Sequence, residues 1–460
     1  MKTTIQKLTL TGMLSVLTMT VCFSCEKMLE VDTPENQIDR EMVFNDVQTA
    51  NAALAGLYSG IRDQSSVSGD QLGPIMGTYT DDLDNHVLTS ANGIIDIYRN
   101  QLIESNSVIY TLWSYNYKQV YTANAILEGI DSSESLPPAD KNRIKGEALF
   151  LRSLMFYHLQ QIFGGIAYPV TTSYQTNQSI ARTPSAEVLQ KLESDLRESA
   201  GLLSDPYTNP ERIYANRKTA EMLLAKVLMD QGRWAESETV LKGIIQDSQY
   251  AWETDLTKVF LKSGKHILWQ LKPSQAGNPT IEANVYFFGN AAPTNYSLSP
   301  ALYQSFAAGD QRRQKWILAT TVGANTWYKA DKYKLRSNNS TEYSIVFRLE
   351  EAYLLLAESL ARQNKLTEAL PFLNATRLRA GLAAVPAPLS QPVLLEAILD
   401  EDRKEFFAEM GKRFFDLKRT GQLSQLTAVK PNWKAEHQLW PVPQQELLLN
   451  PHLLPQNTGY

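Results

Sequence analysis

The segment Asp81-Asp82-Leu83-Asp84-Asn85-His86 gathers three carboxylates, an amide and an imidazole within six residues. A glycosidase needs two carboxyl groups facing each other across the scissile bond, roughly 5 to 10 Å apart. Carboxylates on one loop do not by themselves supply opposing positions. A calcium loop wants alternating oxygen ligands followed by a later Glu, and this run supplies only the start. The histidines His86, His158, His266, His437 and His452 are far apart, with no pair at i+3 or i+4, so no zincin-like site is visible. Gly264-Lys265-His266 lacks the glycine spacing and hydroxyl of a phosphate loop, and no G-x-S-x-G elbow occurs. No metal and no cofactor is expected. Asp81 and Asp82 are the carboxylates on which a secreted helical glycoside hydrolase would rely; the other reading makes them loop or helix-cap residues.

The chain has 460 residues and two cysteines, Cys22 and Cys25. Beyond residue 25 there is no disulfide, thiolate zinc site or cysteine nucleophile. Lys2 and Lys7 precede a mostly apolar run, Leu8 to Phe23, that is too short and too polar to span a bilayer. It ends in Ser24-Cys25, the pattern of a bacterial lipoprotein signal. Residues 1–24 are expected to be a leader, Cys25 the acylated residue, and 25–42 an extended tether between lipid and body. Several acyl chains together anchor stably where one does not. The net charge of −5 argues against a nucleic-acid binder, which needs a basic face.

These groups must be positioned by a body that is mainly helical. Val47, Ala50, Leu54, Leu57 and Ile61 recur at helical spacing behind a cap at Asn45. Further helices are expected at about 105–129, 140–163, 184–203, 216–230, 234–247, 347–363, 367–380 and 392–420. Ala225–Ile245 aligns without gaps on Ala357–Arg377, each a helix, a polar hinge and a second helix. Neither pair can bury its apolar face alone, so the pairs are expected to stack as a tetratricopeptide-like superhelix. Trp113, Trp234 and Trp269 are assigned to core, and His158 to a structural role. Residues 64–104, 164–182, 248–346 and 421–460 lack helical periodicity over most of their length. The third is too long to be a bare loop, and His266–Lys272 within it fits a short strand.

Along almost its whole length the sequence resembles the SusD/RagB family of Bacteroidetes nutrient-binding lipoproteins. The resemblance rests on ordered segments: Cys25-EKMLEVDTP, Phe44-NDVQTANAALAGLY, Trp113-SYNYKQVYTANAIL, Lys145-GEALFLRSLMFYHLQQIFGGIAYPV, Arg217-KTAEMLLAKVLMDQGRW, Phe347-RLEEAYLLLAESLAR, Asp402-RKEFFAEMGKRFFDLKRTG and Trp440-PVPQQELLLNP. Asp402 stands where Glu is usual. The resemblance implies one SusD-like domain over 43–460, with a helical-repeat scaffold and loop-rich inserts at 64–104, 248–346 and 421–460 forming the ligand face. It also implies an outer-membrane lipoprotein on the extracellular side that captures a glycan, or a peptide as in the RagB branch. The captured ligand would pass to a SusC-like TonB-dependent barrel for which the protein is the lid, without catalysis. A plain tetratricopeptide adaptor is the remaining alternative, and the leader and Cys25 oppose it.

In glycan-binding members aromatic rings stack on sugars and polar side chains bond hydroxyls, so candidates come from the inserts. These are Tyr79, Asp81, Asp82, Asn85, His86, Tyr98 and Asn100 in the first, and Tyr286, Asn295, Tyr296, Trp327 and Tyr328 in the long one. Arg377 and Arg403 lie on scaffold helices and are expected to form structural ion pairs.

Overall fold

The computed structural model describes residues 43–88 and 92–460. The expected leader, Cys25 and the tether lie outside the described residues. Numbering helices of eight or more residues, the scaffold runs α1 (Val47–Asp63), α2 (Leu72–Tyr79), α3 (Ser107–Ser132), α4 (Pro138–Phe163), α5 (Ser185–Leu202), α6 (Arg217–Asp230), α7 (Trp234–Ile245), α8 (Leu349–Arg362), α9 (Leu366–Arg379), α10 (Gln391–Phe406) and α11 (Lys412–Arg419). No helix of the described residues is long and apolar enough to cross a membrane.

From α3 to α9 each helix packs on the one before it, including α7 on α8 across a hundred-residue insert. That unbroken stacking is the superhelix the repeat predicts. The two aligned hinges repeat in backbone detail. Gly232 and Asn364 both take left-handed φ, 72° and 61°. Arg233 N–H donates to Leu228 O and Lys365 N–H to Leu360 O, each at 2.9 Å, closing the two helices with the same six-residue loop. Beyond the hinges, Leu241 and Leu373 are both fully buried.

Several boundaries move for local reasons. The cap of α1 is Asp46, whose carboxylate accepts from the N–H groups of Gln48 and Thr49, rather than Asn45. Helix α2 lies inside the first insert, where no period predicts it; all eight residues are buried, and a helix covered on every side has no amphipathic stripe. The expected helix 392–420 breaks after Phe406, where Ala408, Met410 and Gly411 take positive φ. The break sends Phe406 into the main core and Phe407 into a second one. Lys332 Nζ donates to the Glu405 and Phe407 carbonyls at 2.9 and 2.8 Å, satisfying groups freed at that helix end.

The long insert builds the second core from Leu256, Phe260, Leu298, Trp316 and Tyr333, among others, and covers it with strands. One sheet has the order β1 (Leu83–Asn85), β3 (Tyr296–Leu298), β5 (Asn325–Ala330), β4 (Ile317–Val322). A second pairs β2 (Ile267–Leu271), inside the expected strand, with β6 (Ser344–Arg348). Trp269 on β2 and Trp113 on α3 are core residues, 0% and 2% exposed, and Trp234 is half-buried under Arg362.

Candidate functional site

The two halves of the acidic loop serve different ends. Asp81 and Asp82 follow α2 and turn inward against scaffold helices. Arg403 of α10 donates through Nε to Asp82 Oδ1 at 2.8 Å and pairs with Asp81 at 2.9 Å. Arg413 of α11 holds Asp81 at 3.0 Å. Burial pushes the Asp82 carboxyl up despite Arg403. Burial raises Asp81 as well, but Arg403 and Arg413 outweigh it and hold that carboxyl below its ordinary value. Asp82 is 2% exposed, so it faces the arginine and not solvent. Arg377 also pairs with a carboxylate, Glu401, at 3.6 Å.

The following residues form β1 and meet the long insert. Asn85 pairs with Tyr296, Asp84 with Ser297 and Leu83 with Leu298. Leu298 in turn faces Tyr328 of β5. Directly opposed residues of an antiparallel ladder share a face, and neighbours along a strand alternate. Leu83, Leu298 and Tyr328 therefore turn toward the second core, while Asp84, Ser297 and Trp327 occupy the outer face. His86 joins that face, with Nε2 2.9 Å from Ser297 Oγ; burial lowers its imidazole's basicity, opposed by Asp84.

Beside Asp84 the outer face opens into a cavity of about 480 Å³. Asp81, Asp84, Tyr98, Asn100, Lys430 and Asn432 are among its lining residues. Tyr98 donates to Asp84 Oδ1 at 3.2 Å, and burial, with Asp84 adding, pushes its phenol up to about 12. Lys430 Nζ stands 4.1 Å above the Tyr98 ring and donates to the carbonyls of Thr78 and Tyr98. Burial lowers its pKa to about 8 against the pull of Asp84 and Asp81. Asn100 holds left-handed φ of 53°, donates to Tyr79 O at 2.9 Å, and leaves its buried Oδ1 without a partner.

The structure thus joins Asp81, Tyr98 and Asn100 at the cavity, and continues through His86 to Trp327 on the sheet. Asn85 sits at the strand end, bonded to the Val87 carbonyl, and exposed Asn295 accepts from His86 N–H. Tyr296 and Tyr328 are half-buried at the rim of the second core, and Tyr328 stacks on Tyr303 with centroids 3.6 Å apart. Burial, with Asp70 adding, pushes the Tyr296 phenol up to about 12. Three candidates are corrected, because their groups are used inside the protein. Tyr79 is fully buried between Phe414, Trp433 and Trp440, with its hydroxyl on His437 O. Tyr286 is buried with its hydroxyl on Ala408 O, and Asp82 is buried on Arg403. Lys430, Asn432 and Arg413 escaped selection. Lys430 and Asn432 flank Pro431 in the expected third insert, the one signal that could have found them; Arg413 sits in a helical run that reads as scaffold.

Among the described residues no group of three His, Cys, Asp or Glu side chains is arranged to hold a metal ion. The groups at hand are hydrogen-bonding carboxylate, amide, ammonium and imidazole with two aromatic rings, a set suited to binding a polar, ring-bearing molecule.

Known proteins share this plan. A family model described as starch-binding, associating with the outer membrane, matches residues 27–229, and the SusD family model matches 281–460. The SusD-like protein P25 of Formosa agariphila is 26% identical over 520 aligned positions, covering 95% of this chain and 97% of that one. A laminarin-binding SusD-like protein superposes with a TM-score of 0.77 at 22% identity, covering 90% of this chain and 99% of its own. Surface glycan-binding protein A from Bacteroides thetaiotaomicron, in complex with laminarihexaose, superposes at 0.75 with 19% identity over 89% and 99%. The stacked helix pairs, the sheet that the two inserts share, and the two family models that span most of the sequence agree: the chain belongs to the SusD/RagB family.

Proposed function

We propose that the protein is a cell-surface nutrient-binding lipoprotein, anchored through Cys25 to the outer membrane. It captures a glycan on the face from Trp327 to Tyr98 and delivers it to a SusC-like TonB-dependent barrel as its lid. The observation that carries the reading is the convergence of three inserts on one surface: His86 and Tyr98 from the first, Trp327 from the second, Lys430 and Asn432 from the third. A sugar presents C–H faces to the rings and hydroxyls to Asp84, Asn100, Lys430 and Asn432. Laminarin or its oligosaccharide is the ligand of two structural neighbours, which supports a carbohydrate over a peptide. The acidic loop supports binding without hydrolysis, because Asp81 and Asp82 are engaged by arginines and do not oppose each other across an open cleft.

The test is affinity electrophoresis through gels containing laminarin and other polysaccharides. Trp327→Ala, at a half-exposed position, should weaken binding to the retained glycan about tenfold, with the melting temperature within a degree or two of the parent. Unchanged retardation would remove Trp327's face from the site. Native protein extracted from outer membranes should co-purify with a large barrel, and its recovery alone would count against the delivery step.

A further inference from the structure

The outer face of the sheet does not end at Trp327. Lys329, two residues further along β5, shares that face and lies about 7 Å beyond it. Its ammonium donates to Phe288 O at 2.8 Å and stands 4.6 Å from the Phe287 ring centre. Arg336 lies on the same Phe287 ring, its guanidinium carbon 3.3 Å from the centroid. Two cations therefore converge on one half-buried phenyl ring, and neither forms an ion pair with a carboxylate of the described residues. The buried or largely buried arginines of the scaffold and second core are matched instead: Arg312, Arg348, Arg379, Arg403, Arg413 and Arg419 all hold carboxylates. The nearby Lys334 is matched by Asp331, and on the same side of the sheet Asp84 is taken by Tyr98. Two unmatched cations brought together on a chain of net charge −5 repel each other unless an anion bridges them.

We infer that Lys329 and Arg336, held on Phe287 beside Trp327, form a subsite for an anionic substituent of the glycan, a sulfate ester or a uronate carboxylate. The inference rests on the glycan-capture reading and narrows it to acidic polysaccharides. Trp327 stacks one sugar ring, and the next residue along the chain places its sulfate or carboxylate between the ammonium and the guanidinium. Arg336 offers paired N–H donors to two oxygens, and Lys329 supplies a point charge already oriented by the Phe288 carbonyl.

Laminarin, its chemically sulfated form and a polyuronate are compared by calorimetry on the full-length protein. The sulfated or the uronate polymer should bind at least about tenfold more tightly than laminarin, and which of the two does so identifies the anion. Raising NaCl from 0.05 to about 0.5 M should erase most of that preference, since exposed charges are screened within a few ångströms there. The variant K329Q/R336Q should lose the preference while keeping its melting temperature and its laminarin affinity. Laminarin bound as tightly as both acidic polymers, or a preference that survives the double variant, overturns the anionic subsite and leaves glycan capture standing. Failure of all three polymers to bind, or binding of an acidic peptide alone, overturns both readings.

Discussion

Replacing Arg403 by methionine tests whether the acidic loop is a structural tie. The guanidinium makes three contacts: Nε to Asp82 Oδ1 at 2.8 Å, and its second arm to the Asp81 carboxylate at 2.9 Å and Asp81 O at 3.2 Å. Asp81 keeps Arg413 in the variant, at 3.0 Å, so the loss falls on Asp82, whose carboxylate is then buried with no ion pair. Stranding one partner of a buried pair costs about 3–5 kcal/mol. The pH dependence has a definite sign. Burial already raises the folded carboxyl of Asp82 above 3.8, and loss of the cation raises it further. Above that unfolded value the folded variant binds the extra proton, so its stability falls as pH rises. The deficit of Arg403→Met is therefore largest near neutrality and shrinks toward pH 4. Urea unfolding at pH 7 and pH 4.5 measures both effects. Arg403→Met combined with Asp82→Asn removes the stranded charge and should recover all but about 1–2 kcal/mol. A single-variant loss below about 1 kcal/mol, a pH-independent deficit, or a double variant no better than the single would refute the argument.

The repeat hinges respond asymmetrically. Gly232→Ala forces a Cβ into left-handed backbone and should cost about 1 kcal/mol, whereas Asn364→Gly should be neutral or stabilising by up to about 0.5 kcal/mol; thermal unfolding of both variants checks this, and equal losses would contradict the shared hinge. His158 is buried with Nδ1 2.6 Å from Ser66 Oγ, and burial, reinforced by Lys226, lowers its pKa to about 3. The unfolded chain binds this proton first, so the contribution is present above about pH 6.5 and is lost as pH falls toward 3. Acid unfolding of His158→Gln should show a shallower loss over that window than the parent, and parallel curves would exclude His158 as a source of acid sensitivity.

How much of this was legible in the sequence depends on the range of the interaction. Local periodicity placed α5 within the expected 184–203, and the 132-residue offset of Ala225–Ile245 onto Ala357–Arg377 carried the repeat. Helix α2 was not legible because burial on all sides erases the stripe. The break at Phe406–Phe407 was not legible either, because it depends on two cores meeting there, one built by a segment a hundred residues away.

The sequence alone determined the helical scaffold and the family, since each rests on short-range pattern or on ordered motifs, and from it came the expectations of binding inserts and an anchor at Cys25. The tertiary structure decided which insert residues act together. Asp84 and Ser297 become neighbours only through the β1–β3 ladder, and Asp81 loses its freedom only because α10 and α11 bring Arg403 and Arg413 against it. Lys329 and Arg336 share a ring only because β5 and the segment after it fold back on Phe287. Contacts between residues hundreds of positions apart are set by how the elements stack, and no local pattern encodes them.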